Sequence, residues 1–352
     1  MRKLLKTAIV LAVVLFILFF KKTNYFLILP GSAENLRDMV HVAGAEGRER
    51  GGFYMVTVLQ QPANLAFYLY GLVHPDIDVR PASLLIPPEM SEEEYRQLMQ
   101  SWMRDSKLLA KVIALRRAGY EVEIKSSGVE VVDFQEESPA KGILKQGDII
   151  VAVDGEAVNL AEDVVTLVQS REVGEDVIVE IERNGSRYRY TVNTISSKEE
   201  PDKPILGVYV RTLSWEPVLP INIEIETGNI SGPSAGMMFV LEILDQLLPG
   251  DLTGGKKIAG TGTINLQEEV GGIGGVKQKV IAAEKEGADY FLVPRENYLE
   301  AKDAASKIEL VPVETLEDAL LFFQKIQEEA ANTALQLNSL TGYSSLTVLL
   351  TC

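Results

Sequence analysis

Cysteine and histidine are almost absent from this chain of 352 residues. Its single cysteine, Cys352, has no partner for an intrachain disulfide, so the fold must be held by its apolar core. His41 and His74 are the only histidines, which excludes a metal site built from several histidines. Neither lies in a segment with a nucleophile signature, which argues against a Ser-His-Asp triad. We expect no metal and no cofactor. With so few histidines, a serine nucleophile would need a different base.

Basic residues are outnumbered, and the formal net charge is −16. No acidic residue precedes Glu34, so the rest of the chain is more acidic than the total suggests. A surface of that sign repels phosphate backbones. The charge therefore argues against a nucleic-acid partner.

The N-terminus carries the longest apolar run, from Ala8 to Phe20, between basic residues on both sides. Such a run can span a membrane when flanking lysines extend it, although a cleaved signal peptide has a similar pattern. The one small-x-small site, Gly31-Ser-Ala33, lies beyond two lysines and a second apolar patch, which favours an uncleaved anchor. We assign residues 1–29 to a cytoplasmic N-terminus and a single-pass cell-membrane anchor, with the body extracytoplasmic.

Residues 30–125 contain no motif that indicates chemistry. Phe53–Leu59 has the apolar character of a buried strand. Ser91 followed by Glu94 forms a capping-box pattern, which predicts a helix start and nothing catalytic.

Residues 126–195 have the pattern of short strands, one helix and tight turns. Two alternating runs flank Asn184-Gly185, which predicts a hairpin with a type I′ turn. The stretch from Ser138 to Gly155 contains Ser-Pro-Ala, Gly-Asp-Ile-Ile and Asp-Gly, and it resembles the bacterial PDZ domain. The resemblance implies that a peptide is captured as an added strand, beside the helix that starts near Leu160. The strand assigned to this contact consists of Gly128, Val129, Glu130 and Val131. The alternative is a spacer or a dock for the remaining domain.

A polar linker at 196–204 precedes an α/β pattern at 205–328, and an uncharged tail of unknown role completes the chain at 329–352. The expected elements include a helix from about Pro233 to Leu248, a strand from Lys257 to Ile264 and a helix from about Lys277.

Ser234 lies in Ser231-Gly-Pro-Ser-Ala-Gly236, where a turn leads into an apolar helix. Free backbone N–H groups and the helix dipole at such a position can stabilise an oxyanion. The alternative is a serine that only caps or begins a helix. A base within reach would distinguish the two interpretations.

Lys277 is the base that the sequence suggests. A lysine serves as a base only where burial disfavours its charge. Lys277 follows the glycine-rich Gly271–Val276 and begins a mainly apolar helix, which fits a dry pocket. The alternative is a solvated lysine in a first turn.

These two segments resemble the active-site motifs of the Lon protease domain. Gly232-Pro-Ser-Ala-Gly236 contains the family's serine nucleophile, and Gly274-Gly-Val-Lys-Gln-Lys279 its lysine motif. The resemblance assigns the nucleophile to Ser234 and its partner to Lys277, the first lysine of that motif. Thr261, in Thr261-Gly-Thr-Ile264, takes a supporting role that holds the lysine.

The sequence departs from full-length Lon enzymes in lacking an ATPase module. The nearest phosphate-loop string, Gly250–Lys257, lacks the Ser or Thr that would hold Mg²⁺ and leads into a strand, which indicates a turn and no ATP site. The expected fold is α+β: a Lon-type proteolytic domain, completed by strands from residues 30–125, with an inserted PDZ-type domain and an N-terminal transmembrane helix.

The expected function is ATP-independent serine endopeptidase activity on exported or membrane-proximal peptides and proteins, by a Ser-Lys dyad and an acyl-enzyme. The layout resembles that of membrane-anchored Lon-like proteases with a PDZ domain, and Lon-type domains imply a homo-oligomer. The alternative is a membrane-tethered PDZ adaptor with an inactive Lon-like scaffold.

Overall fold

The computed structural model describes residues 2–45, 51–86, 90–197 and 202–341. The chain forms two units. The outer unit comprises Met1–Tyr120 and Ile221–Cys352, and the inserted unit comprises Glu121–Pro220. One unit is thus inserted into the other, as the sequence predicts.

The elements follow in chain order. The first part of the outer unit contains α1 (Arg2–Phe20), β1 (Lys22–Asn35), β2 (Val40–Val42), β3 (Gly52–Asn64), α2 (Leu65–Val73), β4 (Asp78–Pro81) and α3 (Glu92–Arg117). The inserted unit contains β5 (Glu123–Ser126), β6 (Val129–Phe134), β7 (Ile149–Val153), β8 (Glu156–Ala157), α4 (Ala161–Gln169), β9 (Asp176–Arg183), β10 (Ser186–Asn193), β11 (Ile195–Ser196), β12 (Pro204–Ile205), β13 (Val208–Thr212) and β14 (Trp215–Val218). The second part of the outer unit contains β15 (Ile223–Ile225), α5 (Gly236–Leu247), β16 (Lys257–Gly260), β17 (Thr263–Ile264), β18 (Val270–Gly271), α6 (Val276–Glu286), β19 (Tyr290–Pro294), α7 (Tyr298–Ala304), β20 (Glu309–Val313) and α8 (Leu316–Thr341).

Helix α1 is long and apolar enough to cross a membrane, with a mean hydropathy of 2.5 over Lys3–Phe20 and none of that window buried. A membrane anchor and a signal sequence share these properties near an N-terminus. The second apolar patch, which we expected to be part of the anchor at 1–29, instead belongs to β1. Leu27 in that patch is 1% exposed because it packs in the sheet.

The outer unit is built on one mixed sheet of strand order β20-β19-β16-β3-β1-β4. β16 pairs in parallel with both β3 and β19, whereas β1 pairs antiparallel with β3 and β4. Strands from both parts of the outer unit therefore complete a single sheet. The motif-poor segment and the region that follows Ser234 therefore share this sheet.

Helix α5 is the most buried helix segment among the described residues, with ten consecutive buried positions from Gly236 to Asp245. A helix that is buried on all sides must be enclosed by other elements of the fold. α3 and β2 pack against it, so the motif-poor segment encloses the helix that follows Ser234. Helix α3 begins with the expected capping box between Ser91 and Glu94.

The inserted unit has a second sheet of order β10-β9-β7-β6-β13. Asn184 and Gly185 have φ angles of 52° and 74° between β9 and β10, which fits the expected type I′ hairpin. β13 pairs with β6, and β14 pairs with β5. The inserted unit consequently extends over 121–220. Residues 196–204, expected to be a linker, and the residues from 205 to 220, expected to begin the next domain, belong to this unit. Strand pairing, and not local composition, sets the boundary.

Helix α8 continues to Thr341, past the end expected near Gln327. Its start follows the expected cap, in which Thr315 Oγ1 accepts from the Asp318 amide and Asp318 accepts from the Thr315 amide. Of the tail assigned to 329–352, residues 342–352 lie outside the described residues.

Candidate active site

Ser234 lies in a turn immediately before α5, whose N-cap is Ala235. The helix expected from Pro233 therefore begins three residues later. The Ser234 carbonyl accepts hydrogen bonds from the Gly262 amide and the Thr261 hydroxyl, which turn this peptide away from the helix direction. The serine side chain consequently projects from a defined turn at the helix N-terminus.

Helix α3 supports this turn by two hydrogen bonds. The Gly232 amide donates to the Met99 carbonyl at 2.9 Å, and Ser106 Oγ donates to the Pro233 carbonyl at 3.2 Å. Ser106 is 4% exposed. A Cβ added at Gly236 would lie 2.8 Å from Ser106 Oγ, so this glycine, two residues after Ser234, allows the two helices to approach. Ser106 was not predictable from the sequence, because no local pattern links residue 106 to residue 233.

The lysine beside Ser234 is Lys279. Its Nζ donates to Ser234 Oγ at 2.8 Å and to Thr261 Oγ1 at 2.9 Å. Lys279 is 2% exposed, and burial lowers its pKa to about 7. Desolvation disfavours the ammonium form, so a substantial fraction of this side chain is a neutral amine near neutral pH.

Lys277 does not reach Ser234 in the structure. Its Nζ lies 3.6 Å from Asp78 Oδ1, and its side chain is 36% exposed. An α-helix turns by about 100° per residue, so side chains two positions apart differ by about 200° in direction. Lys277 and Lys279 therefore point to different surroundings. The assignment of the base to Lys277 is therefore corrected on geometry.

The helical periodicity of α6 contains a signal that identifies the buried lysine. Val276, Val280 and Ala283 recur at helical spacing and belong to one buried cluster. Lys279 lies about 60° from Val276 around the helix, whereas Lys277 lies about 100° away on the other side. Lys279 is closer to this apolar stripe than Lys277 is. The stripe, and not the order of the lysines in the motif, predicts that Lys279 is the buried one.

Thr261 follows β16 and links Lys279 to the turn that contains Ser234. Its hydroxyl accepts from Lys279 Nζ and donates to the Ser234 carbonyl at 2.9 Å. Its amide donates to the Leu292 carbonyl on β19, and the residue is 1% exposed. The structure thus brings Ser234 and Thr261 together, with Lys279 as the third member.

The glycine-rich loop before α6 is held by Asn297. The Asn297 side chain accepts from the Ile273 amide and donates to the Ile273 carbonyl. Gly275 caps α6 with φ 70°, and a Cβ there would lie 2.9 Å from Val58 Cγ1. Both contacts fix where α6 starts and hence where Lys279 enters the site.

Gly250–Lys256 forms a turn that leads into β16, as predicted. The Asp251 carboxylate accepts hydrogen bonds from the amides of Thr253 and Gly255. The backbone amides of this turn are thus bonded by a side chain of the same turn. Among the described residues, no group of three His, Cys, Asp or Glu side chains could hold a metal ion.

A groove in the inserted unit lies between α4 and the segment from β12 to β13. It is lined by Gln135, Val164, Val165, Val168, Gln169 and Pro204 together with residues 205–208 and Val210. β13 is the edge strand beside this groove, whereas β6 pairs with β7 on one side and β13 on the other. The segment Gly128 to Val131 is therefore not at a free edge, so the expectation that a peptide adds a strand along it does not fit this sheet.

Comparison with known proteins supports both motif assignments. Residues 113–194 match the family model of the PDZ domain, and residues 219–325 match that of the Lon protease (S16) C-terminal proteolytic domain. The chain is 36% identical over 106 residues to Lon protease of Methanosarcina barkeri and 39% identical over 107 residues to Lon protease of Mycoplasma pneumoniae. Each match covers 28% of this chain and 13% of the relative, so the chain spans only a small part of the length of these proteins.

A solved structure, the PDZ domain of the SdrC-like protein from Listeria monocytogenes, is 21% identical and covers 25% of this chain and 92% of that one, with a TM-score of 0.23. The Lon match spans Ser234, Thr261 and Lys279, and the PDZ match spans the Ser138 to Gly155 stretch. The chain thus contains a PDZ domain and, after it, a Lon-type C-terminal proteolytic domain.

Proposed function

We propose that this protein is an ATP-independent serine endopeptidase in which Ser234 is the nucleophile and Lys279 the general base. The observation that carries the proposal is the buried Lys279 amine, 2.8 Å from Ser234 Oγ, with a pKa lowered to about 7. A nucleophile within hydrogen-bond reach of a base that is neutral at working pH is the arrangement that covalent catalysis requires.

In the first half-reaction, the neutral Lys279 amine accepts the Ser234 hydroxyl proton while Oγ bonds to the scissile carbonyl carbon. The resulting ammonium then protonates the leaving amine as the peptide C–N bond breaks, which leaves an acyl-enzyme. In the second, water attacks the ester carbonyl and Lys279 takes the water proton, which returns to Ser234 Oγ when the acid product leaves. At the end of the cycle, Ser234 is again a hydroxyl and Lys279 is again a neutral amine.

Thr261 acts as a positioning residue in this scheme. Its hydroxyl accepts from Nζ and donates to the Ser234 carbonyl, so it leaves the nitrogen lone pair directed toward Ser234 Oγ. Because the lysine has several rotatable bonds, this second contact reduces the number of orientations that the amine can take.

The oxyanion of the tetrahedral intermediate needs backbone donors near Ser234. The Gly236 amide donates to the Pro233 carbonyl and the Met237 amide to the Gly262 carbonyl. Among the described residues, no acceptor is found for the amides of Ser234 and Ala235. We assign the oxyanion contact to these amides, at the positive end of the twelve-residue α5.

ATP independence rests on the Gly250–Lys257 region. A phosphate loop needs a Ser or Thr for Mg²⁺ and a helix after the glycines, whereas this segment is a turn that leads into a strand. The proposed substrates are exported or membrane-proximal peptides and proteins, α1 acts as the anchor with the body extracytoplasmic, and the homo-oligomer that Lon-type domains imply is part of the same proposal.

The inserted unit would deliver substrate by adding an extended peptide segment to β13, with apolar side chains entering the groove beside α4. Val165 lines this groove and is 44% exposed, so it can be changed without opening a core. Val165→Glu should slow cleavage of a protein substrate that carries an apolar C-terminus and spare a short peptide. Val173→Glu, at a valine of equal exposure outside the groove, is the matched control. Equal rates for both variants on both substrates would exclude a delivery role.

Labelling by a fluorophosphonate tests the catalytic proposal directly. The wild-type protein should be labelled, and Ser234→Ala and Lys279→Ala should lose the label. Labelling that persists in both variants contradicts the dyad. A wild-type protein that remains unlabelled and inactive, while still binding peptide, would favour the tethered adaptor.

A further inference from the structure

Helix α2 exposes an uncharged surface that the proposed reaction does not use. Its sequence, Leu65-Ala-Phe-Tyr-Leu-Tyr-Gly-Leu-Val73, contains no charged residue. Five large side chains form what we call the α2 surface: Phe67, Leu69, Tyr70, Leu72 and Val73, which are 45% to 80% exposed. Contiguous apolar surface of this kind commonly marks a contact with another molecule or with a membrane.

The opposite side of α2 is committed to the outer unit. The Tyr68 ring contacts the ring of Tyr25 on β1 in a tilted arrangement, and Gly71 packs so closely that a Cβ would lie 2.8 Å from Leu27 Cδ2 and Val79 Cγ2. The helix is therefore held on the sheet by the ring of Tyr68 and by the close approach of its backbone at Gly71. Its exposed side cannot rotate inward, because that would break this packing.

The start of α2 is bonded to the end of α1. The Leu65 amide donates to the Lys21 carbonyl at 3.0 Å, and Asn64 Nδ2 donates to the Phe19 carbonyl at 3.0 Å. The same Asn64 side chain caps α2 by accepting from the Phe67 amide. Asn64 therefore holds the last turn of one helix and the first turn of the other.

This junction sets the depth of α2 relative to the apolar segment. Lys21 and Lys22 follow α1 directly, and lysines at such positions reach toward headgroups. α2 begins where α1 would leave the hydrocarbon layer. Phenylalanine and tyrosine beside leucine and valine suit the boundary between headgroups and acyl chains.

We infer that the α2 surface lies on the lipid bilayer, as an interfacial helix that holds the outer unit at the membrane. The inference rests on the proposed role of α1 as an anchor. The net charge of −16 cannot by itself attract an anionic lipid surface, so apolar contact supplies the attraction. A lipid surface is favoured over a second copy of this chain because α2 contacts α1 and its start is hydrogen-bonded to the end of α1.

Lipid contact can be measured by site-directed fluorescence. The native Cys352 is changed to Ser, and Leu72→Cys is labelled with an environment-sensitive dye in the full-length protein. The protein is reconstituted into vesicles of phosphatidylcholine and phosphatidylglycerol that contain a nitroxide lipid quencher near the headgroup. Leu299→Cys is the matched control, because Leu299 is also an exposed leucine of the outer unit, at 75%.

The dye at residue 72 should shift to shorter wavelength and be quenched several-fold more strongly than the dye at residue 299. Equal weak quenching at both sites, in protein that floats with the vesicles, overturns the inference and leaves α1 anchoring intact. A blue shift without quenching that disappears on dilution indicates a second copy of the chain and also overturns it. Failure to float refutes the anchor and this inference together. The protease proposal is independent of all three outcomes, because Ser234 labelling is measured separately.

Discussion

The two lysines of α6 differ in surroundings although one residue separates them. Lys277 is part of the exposed surface and forms an ion pair with Asp78, whereas Lys279 is buried against Ser234 and Thr261. Both belong to the motif that resembles the Lon lysine motif. The direction in which a lysine side chain leaves the helix axis determines whether it is buried. Burial in turn lowers the pKa of the amine, which a lysine needs in order to act as a base.

The largest expected effect comes from removing each lysine in turn. Lys279→Ala should lower kcat/KM for a fluorogenic peptide by about 10²–10⁴-fold, the range of a general base. Lys277→Ala should keep most of the activity, because only an exposed ion pair is lost. Comparable losses in both variants would remove the distinction between the two sides of α6.

The pH dependence of activity sharpens the same comparison. The pKa of Lys279 is lowered to about 7 by burial, and the base must be neutral to accept a proton. Activity should therefore rise with pH through about 7 and level off above it, with a loss of roughly tenfold per unit below that pKa.

The matched measurement is a pH profile of Lys277→Ala, which should superimpose on that of the wild type after scaling. A flat profile between about pH 6 and 9 in the wild type would exclude a lysine base.

Thr261→Val tests the support for the buried amine. Valine keeps the shape of threonine but removes both the acceptor for Nζ and the donor to the Ser234 carbonyl. We expect kcat to fall by roughly tenfold with little change in KM, as for loss of a hydrogen bond to a charged or polar partner. Thr263→Val, two residues further along, is the control, and an equal fall there would refute a specific role for Thr261.

The smallest effect should come from the support of the nucleophile turn by α3. Ser106→Ala removes the hydrogen bond to the Pro233 carbonyl, which still accepts from the Gly236 amide. We expect a drop of about three- to tenfold in the rate of fluorophosphonate labelling, with KM for peptide unchanged.

Ser101→Ala on the same helix is the control for Ser106→Ala, because Ser101 Oγ contacts Arg104 at the surface. A change in thermal stability without a change in labelling rate would assign Ser106 to packing only.

Local chemistry was predictable from the sequence. Several features depend only on residues within a few positions of one another, and the structure contains each of them. They are the turn at Ser234 between glycines, the helix caps at Ser91 and Thr315, and the Asn184-Gly185 hairpin. The helix after Ser234 was also predicted, although its start was displaced because distant residues Gly262 and Thr261 bond the Ser234 carbonyl.

Contacts between distant segments were not predictable in the same way. Ser106 meets Pro233 across 127 positions, and β13 joins the PDZ-type sheet by pairing with β6 after the hairpin. The edge available to a peptide depends on that pairing, so a strand that reads as a good binding edge in isolation can be interior to the sheet.

The amino-acid sequence by itself contained the order of the motifs, the two kinds of domain, the apolar N-terminal run and the motif around Ser234, because short-range spacing and composition define them. The tertiary structure alone decided that Lys279 and not Lys277 is buried beside Ser234, that β13 is an edge strand, and where the inserted unit begins and ends. Each depends on burial or strand order, and both are produced by packing between segments that are far apart along the chain.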